Sequence, residues 1–310
     1  MTGGRLAAGP GRCLIRMLLS WLAVCFISVP AAADDWSALK QRLQADGFDS
    51  ATVEGLYRHP ELRFDPEPMA VKITTLMQRA PRQHAGKGCG SSRAVYRGYL
   101  RPGAIRSARA YLKENKRLLA RVNQEYCVPA EVLVSIMLIE TNLGANTGKR
   151  RALSVLSSMA AASDLDRIKP FLGAGAVHGG NEEQARQHCR EKSAWAYNEL
   201  KHLLNYSRSS GVDPLSIPGS IYGAIGLCQF MPSNIDRFGI DGDGNGGVDL
   251  FSKPDALFSI GNYLHRHGWK CGTARQHRRQ IVMTYNNSQI YANTVLAVAD
   301  RLRTMERKRN

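Results

Sequence analysis

Val128-Pro-Ala-Glu-Val-Leu-Val-Ser-Ile-Met-Leu-Ile-Glu140 reads as one buried helix that ends in an acid. Pro129 suits the first helical turn, and Glu131 stands where the helix dipole favours a negative charge. Val132, Leu133, Val134, Ile136, Met137, Leu138 and Ile139 leave almost no polar face, so the helix is expected to be buried all round. Helical spacing puts Glu140 on the same stripe as Leu133, Ile136 and Met137. A carboxylate there is costly unless it is paired, hydrogen-bonded or protonated. Desolvation favours the neutral form and raises the pKa, as a carboxyl that donates a proton near neutral pH requires. Glu140 is therefore the candidate general acid. The competing reading of this helix, taken alone, is a structural acid that caps or pairs inside the core.

Around this helix, helical patterns dominate and no alternating strand pattern is sustained. The spacing predicts one long amphipathic helix from Ala104 to Tyr126, leading into the Glu140 helix. Shorter helices are expected over Asp34 to Asp46, Asp49 to His59 and Glu67 to Arg79, and further ones over Glu183 to Ser209, Pro254 to His267 and Asn287 to Lys308. The basic stretch Arg79 to Arg93, centred on Lys87-Gly-Cys-Gly-Ser-Ser92, reads as a linker or loop, and glycine-rich Phe171 to Gly180 as a loop. The expected fold class is mainly α, without an internal repeat.

The chain has 310 residues, enough for one large domain or two small ones, and 44% hydrophobic with 22% charged residues is ordinary for a soluble globular protein. Residues 1–33 read as a signal peptide. Arg5, Arg12 and Arg16 precede an apolar run from Met17 to Val29, and Pro30-Ala-Ala-Ala33 supplies a small-residue cleavage site. An uncleaved membrane anchor is the alternative, although the run is shorter than the ~20 residues that span a bilayer. Val24 before Cys25 argues against a lipoprotein. The expected localisation is export to the periplasm, with cleavage after Ala33 and at most loose association with the membrane or wall machinery. Removing three arginines and no acids takes the net charge from +16 to +13, which points to an acidic partner. No nucleic-acid motif accompanies that charge, and a bacterial wall polymer carrying lactyl and peptide carboxylates fits an exported chain. Cys89, Cys127, Cys189, Cys228 and Cys271 remain after cleavage, with no C-x-x-C pair. One or two bridges and an odd thiol are expected, and their connectivity stays open.

Three further segments carry chemistry. Gly219-Ser-Ile-Tyr-Gly-Ala-Ile-Gly-Leu-Cys-Gln-Phe-Met-Pro-Ser233 sets Gln229 among glycines, which let backbone amides approach a ligand, just ahead of a proline-started helix; tight helix packing is the alternative. Tyr285-Asn-Asn-Ser-Gln-Ile-Tyr291 gathers amides and aromatics that can stack on and hydrogen-bond a sugar, or cap a helix. Asp241-Gly-Asp-Gly-Asn-Gly-Gly-Val-Asp-Leu-Phe-Ser252 follows the EF-hand order, with oxygen ligands at Asp241, Asp243 and Asn245, Gly246 at the sharp turn and a backbone carbonyl expected from Gly247. Ser252 replaces the usual twelfth-position Glu, and Asp255 could take its place. The expected cofactor is a structural Ca²⁺, with no organic cofactor.

Together with Val128 to Gly144, Gly226 to Ser233, Asp241 to Asp255, Asn262-Tyr-Leu-His-Arg-His-Gly-Trp269 and Tyr285 to Tyr291 in order, these segments resemble the lytic murein transglycosylase B family over about Tyr96 to Arg303. The resemblance implies a lysozyme-like helical catalytic domain over residues 96–310, carrying the EF-hand-like loop 241–255 and preceded by an N-terminal helical segment, 34–95. It implies Glu140 as the sole catalytic acid/base, with Ser220, Gln229, Tyr285, Asn286 and Tyr291 lining a saccharide cleft and Phe230 and Tyr263 as wall residues. It also implies the calcium loop, including an acid at Asp255. Departures are Ser252, the family's paired arginines (only loosely matched by Arg190 and Lys192), and an apparent insertion over roughly Asp164 to His188. The implied partner is the peptidoglycan glycan strand. The implied reaction cleaves the MurNAc–GlcNAc β-1,4 bond and leaves 1,6-anhydroMurNAc ends. The alternatives are a hydrolytic muramidase, which needs a second carboxylate, and a peptidoglycan-binding protein without catalysis. His265, His267, Cys271 and His277 fit no zinc spacing, and Cys228 reads as a buried small residue or half of a disulfide.

Overall fold

Leu133, Ile136 and Met137 are wholly buried at the centre of a helical assembly. The computed structural model describes residues 36–79 and 94–307; the expected signal peptide, residues 80–93 of the stretch read as a linker or loop, and Cys89 lie outside them. The central helix α6 (Ala130–Thr141) buries every residue from Val132 to Met137, and Leu138 as well. Around it pack α4 (Pro102–Glu114), α5 (Lys116–Tyr126), α10 (Lys253–Arg266) and α12 (Gln289–Arg307). A second group pairs α7 (Ala152–Ala161) with α8 (Glu182–Ser210), and α9 (Pro232–Phe238) lies against α8. Helix α11 (Arg275–Tyr285) joins α10 to α12.

The single long helix expected over Ala104 to Tyr126 is two. The chain leaves helical geometry at Asn115 (φ −100°, ψ 20°), whose Nδ2 donates to the Tyr111 carbonyl at 2.9 Å. A short amide side chain competes with the backbone for that carbonyl, which a hydrophobicity pattern does not register. No sequence pattern marks helix α7, because it is buried nearly all round, Ser157 and Ser158 included, and lacks a polar face. Within α10, a Cβ on Gly261 would come within 2.6 Å of the Tyr126 ring, so α5 and α10 cross closely there.

The N-terminal helices α1 (Ser37–Ala45), α2 (Ser50–Tyr57) and α3 (Glu67–Arg79) belong to the same compact unit as the rest of the described chain. Helices α1 and α3 pack on α7, and α3 also on α8. The Tyr57 and Ser157 hydroxyls bond at 2.8 Å, and the Asp65 N–H donates to Ser158 Oγ at 3.0 Å. Cys127 and Cys271 form a disulfide, whereas Cys189 and Cys228 are free and buried. Among the described residues no single helix is long and apolar enough to cross a membrane.

Candidate active site

Helix α6 delivers Glu140 in its last turn and then stops abruptly. Asn142, Leu143 and Gly144 follow with φ of 50°, 64° and 96°, and the Leu143 N–H closes back on the Met137 carbonyl at 2.9 Å. Left-handed backbone at leucine is unusual and is held by its surroundings. Thr141 Oγ1 donates to the Leu227 carbonyl at 3.0 Å, which ties the helix end to the glycine loop opposite. Glu140 itself is half-buried, unlike the fully enclosed residues before it.

Its Oε1 accepts a 2.6 Å hydrogen bond from Tyr291 Oη, and no described residue bonds to Oε2. Desolvation pushes the Glu140 carboxyl up to about 7, against the Tyr291 hydrogen bond, which lowers it. The negative end of the α6 dipole also disfavours ionisation at this position. Burial, with Glu140 opposite, keeps the Tyr291 phenol well above its ordinary value, so it remains a donor. Glu199 in α8 provides the contrast within the same molecule. Both of its oxygens are engaged, by the N–H and hydroxyl of Ser233 at 2.9 Å each, as in a structural helix cap. Tyr291→Phe should move the alkaline limb of the activity profile to higher pH, because it removes the contact that favours the ionised form; an unshifted limb in kcat/KM against pH would contradict this coupling.

Behind Tyr291 lies an aromatic layer. Tyr285 stacks parallel to it at 6.4 Å, and Phe230 and Tyr263 lie 5.8 and 5.0 Å from Tyr285. Phe230 and Tyr263, expected as wall residues, are both buried in this layer, and Tyr263 Oη donates to the Thr284 carbonyl at 2.7 Å. They back the site without facing it. Tyr285 Oη donates to the Cys228 carbonyl at 2.5 Å and so braces the next residue, Gln229, in its left-handed conformation (φ 51°). Burial pushes the Cys228 thiol up to about 12, so it behaves as a small apolar residue. His267 stacks on Tyr263 at 4.1 Å and Cys271 is disulfide-bonded, so neither is free for zinc.

The open face is a cleft of about 260 Å³ lined by Glu140, Asn146, Gly148, Lys149, Arg150, Gly219, Ser220, Ile221 and Gln229. Larger hollows lie elsewhere on the surface, but Glu140 lines none of them. Gln229 Nε2 donates to the carbonyls of Thr147 and Gly226, at 3.1 and 3.0 Å, leaving its Oε1 as an acceptor. Ser220 Oγ accepts from the N–H groups of Tyr222 and Ala224, which leaves its proton to donate. Asn286 departs from expectation: it is exposed just past α11 and does not line this cleft.

Asn146 and Gly148 carry no signal in the sequence, Lys149-Arg-Arg151 reads there as a solvated basic face that could meet peptide carboxylates, and Ile221 belongs to the glycine segment. They meet because β1 (Arg150–Arg151) pairs antiparallel with β2 (Pro218–Gly219), too short a pairing to leave an alternating pattern. A Cβ on Gly148 would fall 2.1 Å from the Gly219 carbonyl oxygen, so this rim closes only with glycine. The N-terminal segment holds it too: Asp65 and Glu67 ion-pair with Arg150, and Glu61 with Arg151 at 2.7 Å. Tyr99, also unsignalled, donates to the Ile139 carbonyl at 3.3 Å beside the acid.

In the EF-hand-like loop, carboxylate oxygens of Asp241, Asp243 and Asp255 lie within 4.8 Å of one another. Asp241 accepts the N–H groups of Gly244, Asn245 and Gly246; the Gly246 bond comes first among the contacts that hold its carboxyl below the usual range. Asp255 is fully buried and accepts from the Gly242 and Asp249 N–H groups at 2.9 and 2.6 Å. Asn245 Oδ1 takes the Gly247 N–H at 3.0 Å, and Gly246 has the φ of 96° that the sixth loop position needs. Ser252 Oγ instead accepts from the Asp255 N–H at 3.3 Å as the α10 cap, which leaves Asp255 as the loop's closing acid. Three converging hard oxygens, one of them wholly buried, suit a divalent cation such as Ca²⁺.

A helical domain that raises one glutamic acid at the end of a buried helix, beside a cleft rimmed by a two-residue antiparallel strand pair, is a lysozyme-like domain with a single-acid cleft. A model of the transglycosylase SLT domain matches residues 31–280, and the chain belongs to that family. The membrane-bound lytic murein transglycosylase B of Escherichia coli (strain K12) is 28% identical over 174 residues, which are 56% of this chain and 41% of that protein, so the match spans less than half of the relative. The fold is that of soluble lytic transglycosylase SltB1 from Pseudomonas aeruginosa (TM-score 0.63, 22% identity, 87% of this chain and 98% of that one). It is equally that of the Escherichia coli lytic transglycosylase Slt35 in complex with calcium (0.62, 19%, 88% and 93%). Pseudomonas aeruginosa SltB3 in complex with NAG-anhNAM-pentapeptide also shares it (0.62, 20%, 86% and 78%).

Proposed function

We propose that this chain is an exported peptidoglycan lytic transglycosylase that cleaves the MurNAc–GlcNAc β-1,4 bond, with Glu140 as its single acid and base. The observation that carries this reading is the cleft's one carboxyl, half-buried and raised to about 7, with Tyr291 on one oxygen and the other unpaired among the described residues. Protonated Glu140 donates to the glycosidic oxygen as the GlcNAc leaves. The muramic N-acetyl carbonyl stabilises the developing positive charge at C1, as in substrate-assisted glycosidases. Ionised Glu140 then takes the proton of the muramic C6 hydroxyl, whose oxygen attacks C1 and closes the 1,6-anhydro ring. One C–O bond breaks, one forms, the proton returns to Glu140, and no water is consumed. The Ser220 hydroxyl and Gln229 Oε1 hold the acetamido and hydroxyl groups. Tyr291 and, behind it, Tyr285 back the acid.

Hydrolysis of the same bond with two protein carboxylates would need a second acid facing Glu140. Glu140 is the only carboxylate among the described residues that line the cleft, and Asp241, Asp243 and Asp255 cluster in the loop instead. Mass analysis of products released from purified sacculi separates the readings. Anhydromuropeptides that vanish with Glu140→Gln are expected, reducing ends would select a muramidase, and bound but uncut sacculi would leave a binding protein.

Asp241, Asp243, Asn245, the Gly247 carbonyl and Asp255 would hold a Ca²⁺, which would brace the loop that packs against Gly226 and Leu227. The Leu227 N–H donates to the Leu250 carbonyl at 2.8 Å, which links loop and cleft. Millimolar Ca²⁺ should raise the melting temperature and EDTA lower it, with Asp243→Ala, an exposed ligand, abolishing the difference. Equal melting of the wild type with and without Ca²⁺ would remove the metal. Residues 1–33 direct export, which N-terminal sequencing of the mature protein would check at Ala33.

A further inference from the structure

The largest hollow among those described has no part in this chemistry. It is a groove of about 790 Å³ between α4, α5 and the start of α6, lined among others by Arg106, Arg109, Lys113 and Lys116. Three-and-four-residue steps put Arg106, Arg109 and Lys113 on one face of α4, and Lys116 continues the row at the start of α5. Among the described residues none of these four cations has a carboxylate partner. The groove's one acid, Glu131, is turned to Arg303 at 3.9 Å. Like charges at such steps disfavour a helix, and among the described residues no ion pair offsets them. Between the cations the surface is made by short apolar groups, including Leu112, Pro129 and Ala130 over buried Leu119.

That combination specifies the ligand. Single-stranded nucleic acid would call for aromatic stacking platforms, and the groove lining has no aromatic residue. A bilayer calls for protruding large apolar groups, and none of the exposed large hydrophobic residues lies in this groove. A concave row of cations over small apolar contacts fits an extended peptide with several free carboxylates and small side chains. We infer that the α4–α5–α6 groove is a second, non-catalytic site that holds the acidic stem peptides of the wall polymer. This rests on the proposed function for the identity of the polymer. The groove meets α6 at its first turn and Glu140 leaves it at the last, about 15 Å away along the helix. A strand cut at Glu140 can thus be retained at the groove, which raises its local concentration at the cleft.

The test uses the mature chain carrying Glu140→Gln, so that substrate survives, with and without Arg109→Glu and Lys113→Glu. Co-sedimentation is measured with intact sacculi, with glycan stripped of stem peptides by an amidase, and with phosphatidylglycerol vesicles. The charge reversals should weaken binding to intact sacculi by about tenfold or more and flatten its salt dependence, while binding to stripped glycan stays unchanged. In the active background the same reversals should leave turnover of a short peptide-free glycan unchanged. Equal binding of both proteins to intact sacculi, or loss confined to the vesicles, overturns the inference. Circular dichroism melting confirms that the reversed protein is folded; if it is not, Arg109→Gln with Lys113→Gln carries the same comparison. Absence of anhydro products from the wild type would instead sink the proposed function while leaving the binding comparison intact.

Discussion

Glu140→Gln is expected to lower turnover on sacculi by about a thousandfold or more and, at pH 8, to make the protein more stable than the wild type. The loss follows because a carboxamide can neither give nor take the proton. The gain follows from linkage. In the unfolded chain the carboxyl ionises near its ordinary 4.5, and in the folded protein near 7. The folded state therefore favours the protonated form, and its advantage from this group is complete below 4.5 and declines as pH rises toward 7. Above 7 the wild type carries the full penalty of an ionised, half-buried carboxylate, about 3 kcal/mol before allowance for the side that faces the cleft. Urea unfolding of both proteins at pH 4.5, 6 and 8 should show curves that nearly coincide at the lowest pH and separate above it. A variant no more stable at pH 8 would mean that the site does not strain the carboxylate. For the same reason wild-type kcat/KM should fall as pH passes above about 7, where the free protein loses the proton it must donate.

Removing the Cys127–Cys271 bridge, by Cys127→Ala with Cys271→Ala, should cost about 5 kcal/mol and lower the melting temperature by on the order of 10 °C. The two cysteines are separated by 144 residues, so the bond restricts a long loop in the unfolded chain. Its native role is local as well. Cys127 ends α5 in a left-handed conformation immediately before Val128 and Pro129 open α6, and Trp269 Nε1 donates to its carbonyl at 3.1 Å. The bridge thus fixes the start of the helix whose far end carries Glu140 to the connection leading into α11 and Tyr285. Calorimetry of the double variant, or of the wild type under reductant, checks the size of the effect. A midpoint unchanged within a degree would show that the bridge does not form or does not constrain the chain.

The acid helix was legible because its signals are local. An apolar run long enough for a helix, a proline at its start and a carboxyl on its buried stripe need no knowledge of the rest of the chain. The calcium-type loop was legible for the same reason, since its ligands follow one another at fixed spacing, and so was Gln229 among its glycines. Less visible was anything set by the meeting of distant segments. Asn115 breaks a helix that hydrophobicity alone runs through, because its amide takes a backbone carbonyl. Phe230 and Tyr263 look like sugar-binding aromatics in sequence, but the crossing of α10 and α11 buries them behind Tyr285.

The sequence alone thus determined a mainly helical chain, an acid in the last turn of one apolar helix, and oxygen-bearing side chains in EF-hand order, because periodicity and spacing are properties of neighbours along the chain. Only the tertiary structure decided which oxygen of Glu140 Tyr291 occupies, which cysteines join, and which residues face the cleft. Those depend on contacts between segments up to about half the chain apart, such as Glu140 with Tyr291 and Arg150 with Asp65. Desolvation, which makes a glutamic acid useful near neutral pH, is the sum of all such contacts.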